Sequence, residues 1–242
     1  MSTYVLVHGA WRGSWIWKRV RKQLQARGHE VFTPTLTGVG ERSHLLSREV
    51  NLETHVADVM NLIRWEELTN VVLCGHSYGG CVVTSVADRI PERISALVYL
   101  DAFVPENGQS LHDTLPPEVS KEQVDAAEKI GEGWKTPPIP AQAFNVNVQD
   151  RDWVDRQSTL HPLACFQQPL CLAQAINRIE NITYILANGW SPSPFSQFYD
   201  KAKARGWKTL AFPCGHDVML DQPEELTEEL LAIASRSAGR RR

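Results

Sequence analysis

The stretch Val71-Val72-Leu73-Cys74-Gly75-His76-Ser77-Tyr78-Gly79-Gly80 decides the fold. The apolar run at 71–74 reads as a buried strand, and the small residues from 78 to 89 read as a helix. Between them lies Gly-x-Ser-x-Gly, a pattern that gains meaning from a strand before it and a helix after it. A turn this sharp strains Ser77, and a side chain at 75 or 79 would collide with the adjoining strand or helix. The strain points the hydroxyl out of the sheet. The helix N-terminus then puts the Tyr78 amide and a partial positive charge where an anion would sit. Ser77 is therefore the candidate nucleophile. A glycine-rich turn with an incidental serine is the plainer alternative, and it leaves the flanking strand and helix as coincidence.

Outward from that turn, short β-branched runs alternate with longer amphipathic ones. Strands are predicted at 4–8, 30–33, 71–74 and 96–100, with helices at 15–26, 52–68 and 78–89. From 104 to 180 the texture changes: 8 of the 14 prolines fall there and no strand-length β-branched run appears. The alternation then resumes with strands at 182–187 and 208–212 and helices at 195–204 and 224–234. The pattern predicts an α/β fold, a mostly parallel sheet with helices on both faces and right-handed crossovers. The core comprises 1–103 and 181–242, and 104–180 forms an inserted, mainly helical, loop-rich cap. The end Ala238-Gly239-Arg240-Arg241-Arg242 reads as a solvated tail.

Composition narrows the class. The 242 residues amount to about one and a half typical domains of roughly 150 residues, consistent with one domain and an insertion. Lys plus Arg is 25 and Asp plus Glu 28, a formal charge of −3 that offers nothing to a phosphate backbone or an anionic membrane. Nucleic acid and membrane are excluded as partners, and a small molecule is the expected one. With 43% hydrophobic and 22% charged residues the chain can bury a full core. The apolar run at 94–100 ends in Asp101, far short of the roughly 18 residues a membrane helix needs. The start shows no basic stretch or signal segment, so a cytoplasmic protein is expected. Five scattered cysteines without a Cys-x-x-Cys pair suggest buried free thiols rather than disulfides or zinc. No pair of ligand residues shows a recognised metal spacing, and Gly38-Val39-Gly40 lacks the remainder of a nucleotide loop. Neither metal nor cofactor is predicted. A homodimer stays open.

A serine hydroxyl needs a base to take its proton. His216, in Pro213-Cys214-Gly215-His216-Asp217, follows the last predicted strand on the sheet edge where Ser77 emerges, and is the candidate base. His8 falls in a loop-supporting position, and His76 sits inside the turn. His29, His44, His55, His112 and His161 are expected on loops or polar helix faces, exposed. Two aimed backbone N–H groups are also needed for an oxyanion, and Ala10, in His8-Gly9-Ala10-Trp11, and Tyr78 can supply them. The acid is harder to place. The usual position follows the strand at 182–187, but there the chain reads Asn188-Gly189-Trp190-Ser191, with no carboxylate before Asp200. Asp101 ends the neighbouring strand to that of Ser77, and strands lie about 4.8 Å apart, so it can reach the imidazole. The alternative is that Asp101 caps backbone amides while Asn188 or water holds the histidine.

Taken together, residues 4–17, the turn at 75–80, Asp101-Ala102-Phe103-Val104-Pro105 and His216 resemble the α/β-hydrolases, in the branch of plant methylesterases and hydroxynitrile lyases. The resemblance implies a Ser77–His216–Asp101 triad with its acid moved to the earlier strand, as in some haloalkane dehalogenases. The lyases of that branch carry a threonine beside the oxyanion loop and a lysine after the histidine. Here Gly9 and Asp217 stand there, which favours hydrolysis over cyanohydrin cleavage. More narrowly, length and overall sequence resemble small bacterial esterases that hydrolyse the methyl carbamate of benzimidazole fungicides such as carbendazim. A general carboxylesterase or aryl methylesterase is the alternative, and a non-catalytic small-molecule receptor on the same fold is the alternative of another class. Trp11, Phe103, Trp134, Trp153 and Trp190 fall in segments around the nucleophile, where a flat heteroaromatic could stack. For Trp134 and Trp153, core packing is an equal reading.

Overall fold

The computed structural model describes residues 1–239; residues 240–242, the charged part of the predicted tail, lie outside the described residues. In chain order the strands are β1 (Thr3–Val7), β2 (Glu30–Phe32), β3 (Val71–His76), β4 (Ile94–Leu100), β5 (Lys135–Thr136), β6 (His161–Pro162), β7 (Ile182–Ala187) and β8 (Lys208–Phe212). Six of them form one parallel sheet in the order β2-β1-β3-β4-β7-β8, while β5 and β6 make a separate antiparallel pair. The α-helices are α1 (Lys18–Ala26), α2 (Leu52–Trp65), α3 (Gly79–Arg89), α4 (Pro117–Ile130), α5 (Arg151–Gln157), α6 (Ala164–Gln167), α7 (Ser196–Ala204), α8 (Val218–Asp221) and α9 (Pro223–Gly239).

The two-residue alternation of each strand divides the core. Val5, Val7, Leu73, Leu97, Tyr99 and Tyr184 join Val59 of α2, Val82 and Val86 of α3 and Phe198 of α7 in one apolar cluster. Tyr4, Leu6, Val72, Cys74, Val98 and Ile185 join Val20 and Leu24 of α1 and Leu230 and Ile233 of α9 in another. Opposite faces of the sheet thus bury against different helices, and a one-residue slip would exchange them. The central strands β3 and β4 are almost continuously apolar because both their faces are covered.

Element boundaries differ from the predicted ones where backbone pairing or local geometry outweighs side-chain pattern. Strand β3 runs on through Gly75 and His76, which pair with Tyr99 and Leu100 of β4. The helix predicted at 15–26 begins as a 3-10 turn, Ser14–Trp17, before α1. The helix predicted at 52–68 ends at Trp65, after which Glu67 and Asn70 take positive φ. The final helix begins one residue earlier than predicted and reaches Gly239. Between β4 and β7 the chain carries α4, α5, α6 and short 3-10 turns, and also the β5–β6 pair, so the segment is not free of strand. Two-residue strands are too short to leave a periodic signal.

Candidate active site

All six strands of the main sheet run parallel, so their carboxyl ends meet at one edge, and the candidate residues stand there. Ser77 lies between β3 and α3 with φ +54°, a strained value for a non-glycine residue. A Cβ on Gly75 would come within 2.6 Å of Gly79 O and Val83 Cγ2, so only glycine permits this turn. Gly9 lets the β1 loop press on the serine, since a Cβ there would lie 2.8 Å from Ser77 Cβ. That contact brings Ala10 beside Ser77 and Tyr78 at the floor of one cavity of about 670 Å³. Among the described residues, neither the Ala10 nor the Tyr78 backbone N–H has a protein acceptor.

His216 lines the same cavity, and its Nδ1 donates to Asp101 Oδ2 at 2.7 Å. The carboxylate acceptor places the ring proton on Nδ1 and leaves Nε2 as the free lone pair. Asp101 is fully buried at the end of β4 with φ +41°, and its backbone N–H donates to Ile185 O at 2.7 Å. Its Oδ1 accepts the Ala187 N–H at 3.0 Å and its Oδ2 also accepts Trp190 Nε1–H at 3.1 Å. The amide-capping geometry weighed from sequence is therefore present together with the histidine contact. Burial raises the Asp101 carboxyl above the usual carboxylate range, opposed by the donors from His216, Ala187 and Trp190.

The alpha/beta hydrolase family profile matches residues 4–229. The chain belongs to the alpha/beta hydrolase family. Its relatives include the carbendazim hydrolyzing esterase of Nocardioides sp. (strain SG-4G), 49% identical and covering 96% of this chain and 100% of that protein. Polyneuridine aldehyde esterase of Rauvolfia serpentina is 33% identical, covering 96% of this chain and 95% of that one. An extracellular alpha/beta-hydrolase of a Paenibacillus species shares the fold at a TM-score of 0.84 with 23% identity, over 97% of this chain and 99% of the other. This alpha/beta hydrolase is an enzyme of the esterase type.

The hydrolase's buried polar network explains how the site is held. Behind His216, His76 donates Nε2–H to His216 O at 3.0 Å, with the two rings 4.4 Å apart. Burial, and secondarily the neighbouring His216 ring, lower His76 to about 3, so it stays neutral. Asp217 turns its carboxylate to Arg12 Nη2 at 3.2 Å. Burial opposes its ionisation, but Arg12, His76 and His216 more than offset that and hold Asp217 below the usual range. Arg12 also reaches the hydroxyl of Ser158, so one guanidinium joins the loop after β1, the His216 loop and the segment between β4 and β7. His8 supports the loop after β1, which carries the predicted oxyanion donor Ala10, by donating Nδ1–H to Gly9 O at 2.7 Å while Nε2 accepts Leu36 N–H at 3.1 Å.

Two histidines expected at the surface of this hydrolase are instead fully buried. His161 Nδ1 accepts the Trp11 N–H at 3.3 Å, and His55 Nδ1 accepts the Tyr78 hydroxyl at 2.8 Å while its Nε2–H donates to Thr37 O at 2.8 Å. Packing against distant elements, invisible in local sequence, draws them in. Both therefore brace residues that carry the predicted oxyanion N–H groups or adjoin them. His55, His161 and Cys165 place ligand-capable atoms within 4.8 Å of one another, but Tyr78 O–H and Trp11 N–H already engage the Nδ1 lone pairs. His29 and His112 are half-buried and His44 is exposed. Four of the cysteines are buried free thiols; Cys171, expected to be buried too, is exposed.

Of the five predicted pocket aromatics, Trp11, Phe103 and Trp190 line the cavity of this hydrolase. Trp134 and Trp153 do not. Trp134 lies between Arg48 and Lys135, whose charges sit 5.3 and 4.7 Å from its ring, and Trp153 packs edge-on against Trp15 at 5.0 Å. The structure adds Phe144, Phe166 and Phe195. Phe195 and Phe144 pack on the His216 ring at 5.0 Å, Phe195 nearly parallel to it. Nothing in the sequence around Phe144 and Phe166 marks them, because loop and short-turn segments carry no periodicity that reports facing. Among the described residues no helix is long and apolar enough to cross a membrane.

Proposed function

We propose that Ser77, His216 and Asp101 form a charge-stabilised triad, and that this esterase cleaves a methyl carbamate carried on a flat heteroaromatic, with carbendazim the substrate best supported. The observation that carries the triad is the 2.7 Å bond from His216 Nδ1 to Asp101, beside a cavity that also holds Ser77 at the helix N-terminus. The substrate class is supported by full-length 49% identity to the carbendazim hydrolyzing esterase and by a largely apolar, aromatic-walled cavity. Residues 104–180 act as the cap over a core of 1–103 and 181–242. Buried free thiols fit a reducing compartment, and we assign the cytoplasm.

In this reading His216 Nε2 takes the Ser77 Oγ proton, and Oγ attacks the carbamate carbonyl. The Ala10 and Tyr78 amides hold the oxyanion, and Asp101 stabilises the imidazolium. The tetrahedral intermediate collapses, the C–O bond to methoxide breaks, and His216 returns the proton so that methanol leaves. Water, deprotonated by the same imidazole, releases a carbamic acid that loses carbon dioxide to give 2-aminobenzimidazole. The test is chromatographic detection of 2-aminobenzimidazole from methyl benzimidazol-2-ylcarbamate, with Ser77→Ala beside wild type. Release by wild type alone is expected. Wild-type hydrolysis of aryl and methyl esters without release would replace the carbamate with a general ester substrate, and failure of a fluorophosphonate to label Ser77 would favour a non-catalytic receptor.

A further inference from the structure

Trp190 does more than wall the cavity. Its Nε1–H reaches Asp101 Oδ2 at 3.1 Å, the same oxygen that accepts His216 Nδ1–H at 2.7 Å. Its ring lies 5.1 Å from the His216 ring, so one indole touches both members of the pair. The loop that carries it is held to the sheet's last strand and the histidine loop, with Asn188 N–H donating to Phe212 O and Gly189 N–H to Cys214 O, each at 2.9 Å. This loop follows β7 and contains no carboxylate before Asp200. It supplies a donor to an acid that stands at the end of β4.

We infer that Trp190 is a positioning residue that locks the Asp101 carboxylate in the rotamer His216 needs and keeps it an ionised acceptor through turnover. The inference rests on the Ser77–His216–Asp101 reading. Among the described residues, Asp101 has one rigid backbone donor, Ala187, on Oδ1, and on Oδ2 the one donor besides the histidine is the indole. A carboxylate free to rotate about its Cα–Cβ and Cβ–Cγ bonds would point Oδ2 elsewhere for part of the time. A second donor on the shared oxygen removes that freedom and moderates the hold on the imidazolium proton.

The other groups facing the pair are fixed in charge near neutral pH. His76, from β3, is kept neutral by burial, and Asp217, in the histidine's own loop, is ionised against Arg12. Tyr184, from β7, and Cys214, before the histidine, are held protonated by burial. A shift in the pH profile on altering Trp190 therefore reports on the Asp101–His216 pair.

The experiment uses 4-nitrophenyl acetate, so that it does not depend on the carbamate assignment. Trp190→Phe keeps an aromatic wall and removes the N–H. The expected result is a fall of about tenfold in kcat, KM within about twofold, and an acidic limb of kcat/KM moved to higher pH, because a carboxylate with one donor fewer grips the imidazolium proton harder. Replacement of Trp190 by β-(3-benzothienyl)alanine, which has the indole's shape and no N–H, should reproduce the shift even if Phe loosens the loop. A benzothienyl variant with wild-type kcat and pH profile, or a change confined to KM, overturns the inference. Asp101→Asn is measured alongside. If it collapses activity while both Trp190 variants behave as wild type, the triad reading stands and the Trp190 inference falls. If Asp101→Asn is itself near wild type, the triad reading fails first. In the Asp101→Asn background, adding Trp190→Phe should cost less than about twofold further, and an independent tenfold loss there overturns the coupling.

Discussion

Arg12 and Asp217 form an ion pair at 3.2 Å with both side chains at most 2% exposed, one from the loop after β1 and the other from the loop after β8. Two charges out of water gain only when each keeps its partner, so removing one strands the other. Arg12→Met is expected to destabilise the fold by about 3–5 kcal/mol, read from urea unfolding. The double variant Arg12→Met/Asp217→Leu should recover much of that loss. A double variant no more stable than the single one would show that Arg12 acts mainly through Ser158 and the Phe144 ring.

Ser77→Ala and Asp101→Asn separate chemistry from folding. The first should lower turnover by several orders of magnitude, and the second by about 10³–10⁴-fold because the imidazole loses the carboxylate that orders its tautomer. Thermal unfolding of Ser77→Ala should stay within about 1 kcal/mol of wild type or rise slightly, as strain at the positive-φ turn is carried by backbone and not by Oγ. Burst-phase kinetics with a chromogenic ester would supply the check on the acyl intermediate.

Buried neutral histidines set the acid limit of stability. Burial lowers His8 and His55 to about 4 and His76 to about 3, and takes His161 well below its ordinary 6.5. An unfolded histidine binds a proton near pH 6.5 that the folded one refuses. The native state is therefore fully favoured above about 6.5 and loses stability as pH falls toward 4, by up to about 1.4 kcal/mol per pH unit for each such residue. Asp101, whose carboxyl is raised by burial, runs the other way, but as one group against four. Melting temperature measured from pH 8 to 4.5 should fall steeply below 6.5. A flat profile over that range would contradict the buried neutral network.

Trp153 and Ile139 make opposite predictions although both lie between β4 and β7. Trp153 packs on Trp15 away from the cavity and is partly buried, so Trp153→Ala should cost about 1–3 kcal/mol of stability with little change in KM. Ile139 lines the cavity, and Ile139→Trp should raise KM for an aryl carbamate more than for acetate esters, by narrowing the space for the ring. Steady-state kinetics on both variants, with unfolding curves beside them, distinguishes wall from core.

Local pattern in the chain carries a good deal of this. Val71–His76 with Gly75, Ser77 and Gly79 encodes a strand, a sharp turn and a helix through contacts that span only a few residues, so the turn and its strained serine are legible without a structure. The alternation of apolar runs likewise encodes the parallel sheet, and the position of His216 after the last strand follows from the same alternation. Which residues meet across the sheet edge was decided by tertiary packing. The contact of His216 with Asp101 spans 115 residues and depends on β4 lying beside β7, and Trp190 Nε1–H reaches Asp101 across 89. His55 and His161 look like surface residues in their own segments and become buried struts only when α2, β6 and the loop after β1 close on one another. Trp134 and Trp153 face away from the cavity that Trp190 lines, because neither a turn such as that of Trp134 nor a helix as short as α5, which carries Trp153, encodes direction by itself and the packing around it does.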